Sequence, residues 1–315
     1  MTDAPGGGDH PIRQLVPLGI NGFYPSHGRQ TMSFLVDVQT ATGRVGLLLD
    51  AGTGTGRLAE PDCPVPLDEL DRLEVVLSHY HLDHVAGLAA LPAAFRAGGG
   101  RAPMRLWAPG EPLVDAQAVE ALHQLIAPPL FPYRLDEYEP NLEIRPYGEA
   151  SDLDDLAQAL GLAIRVQRNR HPGGAVGLRF GDQLAYLTDT APDPGSERLV
   201  EGVHTLLHEV WATADEAEAN PRLLEGHCDT QAVRALAQKA RVNRLVPVHH
   251  PPQRGQGEMR ALHDELESPG EKARPGPDYV LHRPLEGQSI TFAGADGSSE
   301  SAGGQDEPAS PSSSQ

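Results

Sequence analysis

The chain runs to 315 residues, 39% of them hydrophobic and 22% charged, with a formal net charge of −19. That length supports one large core or two ordinary ones. The acidic balance disfavours a duplex- or tRNA-binding surface, where cations must neutralise phosphates. No apolar run approaches the ~18 residues that a membrane span needs, and two distant cysteines, Cys63 and Cys228, argue against a disulfide framework.

Residues 1–9 are polar and lack the apolar stretch of a secretory leader, so they read as a disordered start to a cytoplasmic protein. One domain is expected over 10–293, since no linker or internal repeat divides it. Strands are predicted at "TMSFLVDV", "GRVGLLLDAG" and "RLEVVLSHYH", then a helix around "HVAGLAALPAAFRAG". Next come a strand "MRLWAP", a helix "EPLVDAQAVEALHQLI", a proline-broken loop "APPLFPYRL" and a strand near "LEIRPYG". The back half alternates again: "LAIRVQRNRH", "AVGLRFGDQLAYLTDT" and "HTLLHEVW" as strands, "DTQAVRALAQKARVN" as a helix, and "RLVPVHH" as a strand. Residues 294–315, rich in Gly, Ser and Pro and acidic, read as a disordered tail. Strands that lead into helices, with hairpins between, predict two sheets covered by helices in an α/β protein.

The chemistry concentrates in "SHYHLDHVAG", where His79, His81, Asp83 and His84 follow an apolar strand and open an apolar helix. His79 and His81 share one side of an extended segment, while Asp83 and His84 follow as the chain turns. Such a cluster can start two metal sites a few ångströms apart, and imidazole with carboxylate suits Zn(II), Mn(II) or Fe. The glycine run Gly52–Gly56 after Asp50 has no following Lys-Ser/Thr, so it is not a phosphate loop. Asp50 is expected instead to hydrogen-bond beneath the histidine cluster.

"HYHLDH" matches the HxHxDH signature of the metallo-β-lactamase superfamily, and the resemblance spans most of the chain, from "LLLDAGTGTG" to "VPVHH". It implies a four-layer αβ/βα sandwich and a dinuclear metallohydrolase with two divalent ions, Zn²⁺ foremost. The remaining ligands fall in the family's order: His171 in "RHPGGAVGLRF", Asp189 in "LAYLTDT" and His249 in "RLVPVHHPP". By that analogy one metal takes His79, His81 and His171, the other takes Asp83, His84 and His249, and Asp189 bridges them. His250 is the alternative to His249. Dimers are common among such relatives, so a homodimer is an open expectation.

His208-Glu209 in "LLHEVWAT" and His227 in "LLEGHCDTQAVRALAQKA" resemble the ribonuclease Z-like branch. There the carboxylate, here Glu209, would orient a histidine, here His227, that protonates a leaving oxygen; "HEVW" and "HCD" depart from that branch's usual "HEAT" and "HST". The tRNA-processing members carry a basic arm between the fourth histidine and the bridging aspartate. Here those positions are 189 − 171 = 18 residues apart, room for a plain hairpin only. The expectation is therefore a phosphodiesterase acting on a small or cyclic phosphodiester, with water activated by the metal pair and a Glu209–His227 proton relay. Alternatives are a thioesterase or lactonase of the glyoxalase II kind, a ribonuclease Z-like RNA endonuclease, and an iron-dependent sulfur dioxygenase. A non-catalytic scaffold is the reading that all seven ligand-type residues oppose. Phe131, Tyr133 and Arg134 are candidate substrate contacts in a loop expected to roof the site.

Overall fold

The computed structural model describes residues 11–139, 142–267 and 278–292, so the readings of 1–9 and 294–315 as disordered lie outside the described residues. The first sheet contains β1 (Ile12–Gly19), β2 (Ser33–Thr40), β3 (Gly43–Leu49), β4 (Arg72–Val76), β5 (Met104–Pro109) and β6 (Leu142–Tyr147). The second contains β7 (Ile164–Asn169), β8 (Ala175–Phe180), β9 (Leu184–Leu187), β10 (Thr205–Glu209), β11 (Arg244–Val248) and the short β12 (Val280–Leu281). A short β13 (Ile290–Thr291) returns to the first sheet, giving the orders β13-β1-β2-β3-β4-β5-β6 and β12-β11-β10-β9-β8-β7.

Each sheet is antiparallel on one side and parallel on the other. Pairing is parallel from β3 through β6 and again from β9 through β12. Parallel neighbours need crossovers, and these are helical: Leu91–Ala97 lies between β4 and β5, and Thr230–Lys239 between β10 and β11.

Side-chain alternation divides the interior into three apolar layers. In β3, Leu47 and Leu49 face the other sheet, where they join Phe34, Trp107, Tyr186 and Leu207; Leu48 faces outward toward Leu91 and Phe95. In β10, Leu207 faces inward, while Leu206 joins Val233, Leu245 and Leu262 under the helices of the second sheet. Helix, sheet, sheet and helix are thus stacked, the four-layer αβ/βα sandwich. No helix among the described residues is long and apolar enough to cross a membrane.

Two expected helices are shorter in the structure. The one after the histidine cluster is split into Leu82–Val85 and Leu91–Ala97. Between them Gly87 crosses Gly52 so closely that a Cβ would lie 2.1 Å from the Gly52 carbonyl oxygen. The helix expected over 111–126 forms only at Ala118–Leu125, since Pro112 lies in a turn closed by Leu113 N–H donating to Gly110 O at 2.9 Å. The helix Gln256–Glu267 and the strands β1, β12 and β13 were not anticipated; the two short strands have too few residues to show a period.

Trp107 stands between the sheets, 1% exposed, and its Nε1–H donates to buried Glu74 Oε2 at 2.7 Å. Trp107→Ala removes that volume and one hydrogen bond to Glu74, which keeps its ion pair with Arg105, so urea denaturation should show a loss of about 3–5 kcal/mol.

Candidate metal centre

The C-terminal ends of six strands meet at one edge of the sandwich, where open α/β sheets bind their ligands. Asp50 follows β3, Ser78 and His79 follow β4, His171 follows β7, Asp189 follows β9, Glu209 ends β10 and His249 follows β11. Asp50, Asp189 and His249 all take left-handed backbone, with φ of 57°, 50° and 53°. These positive angles bend the chain sharply at the strand tip and turn each side chain into the site, a strain characteristic of functional positions.

Asp50 lies beneath the cluster, as expected. Its Oδ1 accepts from the Ser78 backbone N–H at 2.6 Å, and its Oδ2 accepts from Ser78 Oγ (2.8 Å), His84 Nδ1 (2.7 Å) and the Tyr186 hydroxyl (2.6 Å). With His84 Nδ1–H committed there, Nε2 is the ring nitrogen that faces the cluster.

The seven expected ligand residues come together in two adjacent groups. Donor atoms of His79, His81, His171 and Asp189 all lie within 4.8 Å of one another, and so do those of Asp83, His84 and His249. His171 Nε2 is 3.1 Å from His81 Nδ1 and 3.5 Å from Asp189 Oδ1. His249 Nε2 is 3.2 Å from Asp83 Oδ2 and 3.4 Å from Asp189 Oδ1, and His84 Nε2 is 3.1 Å from Asp189 Oδ2. Asp189 therefore stands between the groups. His250 points elsewhere: its Nε2 is 3.1 Å from Pro247 O, and its ring packs on His263.

The donor set fits divalent cations. Nε2 of both His79 and His84 is buried without a hydrogen-bond partner, an arrangement that costs free energy unless something else satisfies the atoms. Burial holds His79 well below the usual imidazole range, which leaves a neutral donor. Burial and neighbouring His171 likewise lower His81, and burial lowers His171. Burial alone would raise Asp83 and Asp189, but the surrounding imidazoles outweigh it and keep both carboxylates ionised. Burial would also lower His84, yet Asp189, Asp83 and Asp50 together raise it. The neutral imidazoles of His79, His81 and His171 and the ionised carboxylates of Asp83 and Asp189 are ligands for Zn(II)-class metals.

Glu209 and His227 meet beside this cluster. His227 Nδ1 donates to Glu209 Oε2 at 2.7 Å, and Glu209 Oε1 accepts from the Thr190 backbone N–H. Burial opposes protonation of His227, but the Glu209 carboxylate outweighs it and raises the imidazole. The His227 ring stacks on Trp211 with centroids 4.5 Å apart. His208, the neighbour of Glu209 on the strand, is buried on the opposite face, where its Nδ1 donates to Glu209 O at 2.7 Å.

A cleft of about 470 Å³ opens over the site, lined by Phe23, Leu82, Pro172, Trp211 and Glu225 together with candidate ligands and His227. The expected roof is not there. None of Phe131, Tyr133 and Arg134 lines the cleft: Phe131 packs against the outer apolar layer of the first sheet and against Tyr138, Tyr133 is exposed elsewhere, and Arg134 precedes a short helix, its N–H donating to Glu137. Phe23 and Trp211 were not anticipated. The one available signal was the "GFYP" turn after an apolar run, which says nothing of where that turn lands.

The family model for the beta-lactamase superfamily domain matches residues 46–250, about two-thirds of the chain and all seven clustered residues. The chain belongs to the beta-lactamase superfamily. Within that superfamily, ribonuclease BN of Escherichia coli O17:K52:H18 (strain UMN026 / ExPEC) is 28% identical over 279 residues, covering 75% of this chain and 88% of the relative. The metallo-β-lactamase fold protein YhfI from Bacillus subtilis superposes with a TM-score of 0.64 at 20% identity, over 89% of this chain and 100% of that one. Unliganded yeast PDE1 does so at 0.63 and 12% identity, over 90% and 100%. These two likenesses establish the metallo-β-lactamase fold, which implies divalent metal binding, and the chain is a hydrolase of this superfamily with candidate His/Asp metal sites.

Gly22 packs flat against His249: a Cβ there would lie 2.7 Å from His249 Cε1 and 2.8 Å from Trp211 Cζ3. Gly22→Ala is expected to push His249 aside and lower the metal content of the folded protein toward one ion per chain, measured by elemental analysis. Asp83→Ala, which removes an inner carboxylate, should do the same and abolish turnover; full metal content in both variants would contradict the ligand assignment.

Proposed function

We propose that this hydrolase is a dinuclear metal-dependent phosphodiesterase acting on a small or cyclic phosphodiester. Two divalent ions, Zn²⁺ foremost, would be held by His79, His81 and His171 on one side, by Asp83, His84 and His249 on the other, and by Asp189 between them. When bound, such ions supply Lewis acidity toward a phosphoryl oxygen and lower the pKa of water.

The observation that carries the reading is the Glu209–His227 pair at the edge of the cleft. Glu209 accepts the Nδ1–H of His227, so Nε2 is the ring nitrogen left to serve substrate, and the raised imidazole favours its proton-donating form. In hydrolysis, water's oxygen forms a new bond to phosphorus, the bond to the departing alcohol oxygen breaks, and that oxygen needs a proton. His227 Nε2–H delivers it. A thioester leaves as a stable thiolate without such a donor, so this pair favours phosphodiester over thioester chemistry.

Ribonuclease BN, a named relative, supports a phosphodiester bond as the target. The cleft favours a small substrate. Its described lining residues include Glu225 but neither lysine nor arginine, and β8 returns to β9 by a tight hairpin with no arm. A polyanionic RNA finds no cationic track there.

A panel of bis(p-nitrophenyl) phosphate, a cyclic nucleotide, a thioester and a lactone tests the reading on metal-loaded protein; turnover confined to the thioester or lactone would overturn it. His227→Ala should lower kcat by about 10²–10⁴ with metal content unchanged. Because Glu209 raises His227, the acid form persists to higher pH; Glu209→Gln should move the alkaline limb of the pH–rate profile to lower pH.

A further inference from the structure

The lip of the cleft carries large apolar side chains that no described residue covers. Phe23 is 70% exposed and Leu82 is 66% exposed, although soluble proteins seldom leave such groups clustered in water without a use. Both line the cleft, together with Pro172 and Trp211. Phe23 also takes left-handed backbone, φ 65°, which L side chains rarely adopt. Packing of its ring into the core does not account for that conformation. The backbone does: Phe23 N–H donates to Asp83 Oδ2 at 2.7 Å, and Gly22 lies flat against His249 and Trp211. The ring is thus held over the site by the candidate ligands themselves, with Tyr24 bracing it edge-on at 5.2 Å. Trp211, which also lines the cleft, stacks on the His227 ring with centroids 4.5 Å apart.

We infer that Phe23, Leu82 and Trp211 form a slot for a flat, apolar substituent of the substrate, a nucleobase or an aryl group, bonded to the phosphoryl centre through one short linker. This rests on the phosphodiesterase reading and narrows it to monoanionic diesters with a planar body. Three observations converge on that class. Aromatic faces exposed at the mouth of a site bind any base through its π surface. The cleft volume of about 470 Å³ is within the range of small-molecule sites. The described lining residues offer no guanidinium or ammonium group for further phosphates, and Glu225 repels them.

Calorimetric titration of the metal-loaded full chain with adenosine 5′-monophosphate and with ribose 5-phosphate isolates the base, since both ligands carry the same phosphate. The nucleotide should bind about tenfold more tightly, and Phe23→Ala should erase the difference while leaving ribose 5-phosphate binding unchanged. Phe23 is exposed, so its removal leaves the core intact. Equal affinity of the two ligands for the unaltered chain overturns the slot, as does a preference that survives Phe23→Ala. If Phe23→Ala instead converts a dimer to a monomer in sedimentation and leaves the ratio untouched, the patch is a subunit interface and the slot falls. A preference for the base with no turnover of any phosphodiester supports the slot and sinks the reaction; turnover with no preference does the reverse.

Discussion

A single buried carboxylate joins the two sheets at the place where the site is built. Asp50 extends from the first sheet and accepts a hydrogen bond from Tyr186 of the second, while it also holds Ser78 and His84 of the histidine loop. All of these groups are buried, so water cannot compete for the bonds, and each donor left alone would carry the full cost of desolvation. The network therefore has one low-energy arrangement. In it His84 turns Nε2 outward, the loop from Ser78 stays extended through His81, and the short helix beginning at Leu82 aims Asp83 away from His79.

From that anchor the electrostatics follow. Five imidazoles and two carboxylates share a small volume beside an apolar core, and their charges can only be read as a set. The carboxylates are held ionised by the imidazoles, whereas His79, His81 and His171 are held neutral by burial. The Nε2 atom of His79, on a neutral ring and buried without a hydrogen-bond partner, attracts a cation. The protein's net charge of −19 reinforces that attraction over longer range. Beside them Glu209 raises His227, which has a donor atom within 4.8 Å of donors on Asp189 and His249.

How much of this was legible in the chain depends on how local each feature is. His79, His81, Asp83 and His84 lie within six residues, so their spacing alone implies a shared point in space, and Asp50 ends an apolar strand as such a support would. His171, Asp189, Glu209, His227 and His249 were recognisable from resemblance in order and from their places at strand ends or before a helix. The loop around Phe131 misled for a physical reason: an aromatic, proline-rich stretch covers core apolar surface as readily as it roofs a pocket, and here it covers the outer layer of the first sheet.

The strand pattern and the histidine motif determined by themselves the two-sheet α/β class and the gathering of His79, His81, Asp83 and His84 at one point. Each of those depends on short-range periodicity or on spacing within one turn. Only the tertiary structure decided that His249 faces the cluster and His250 does not, because the sign of one φ angle selects between adjacent side chains. It also decided what walls the cleft, since Phe23, Leu82 and Trp211 come from three separate segments and meet only when β1, β4 and β10 are stacked in place.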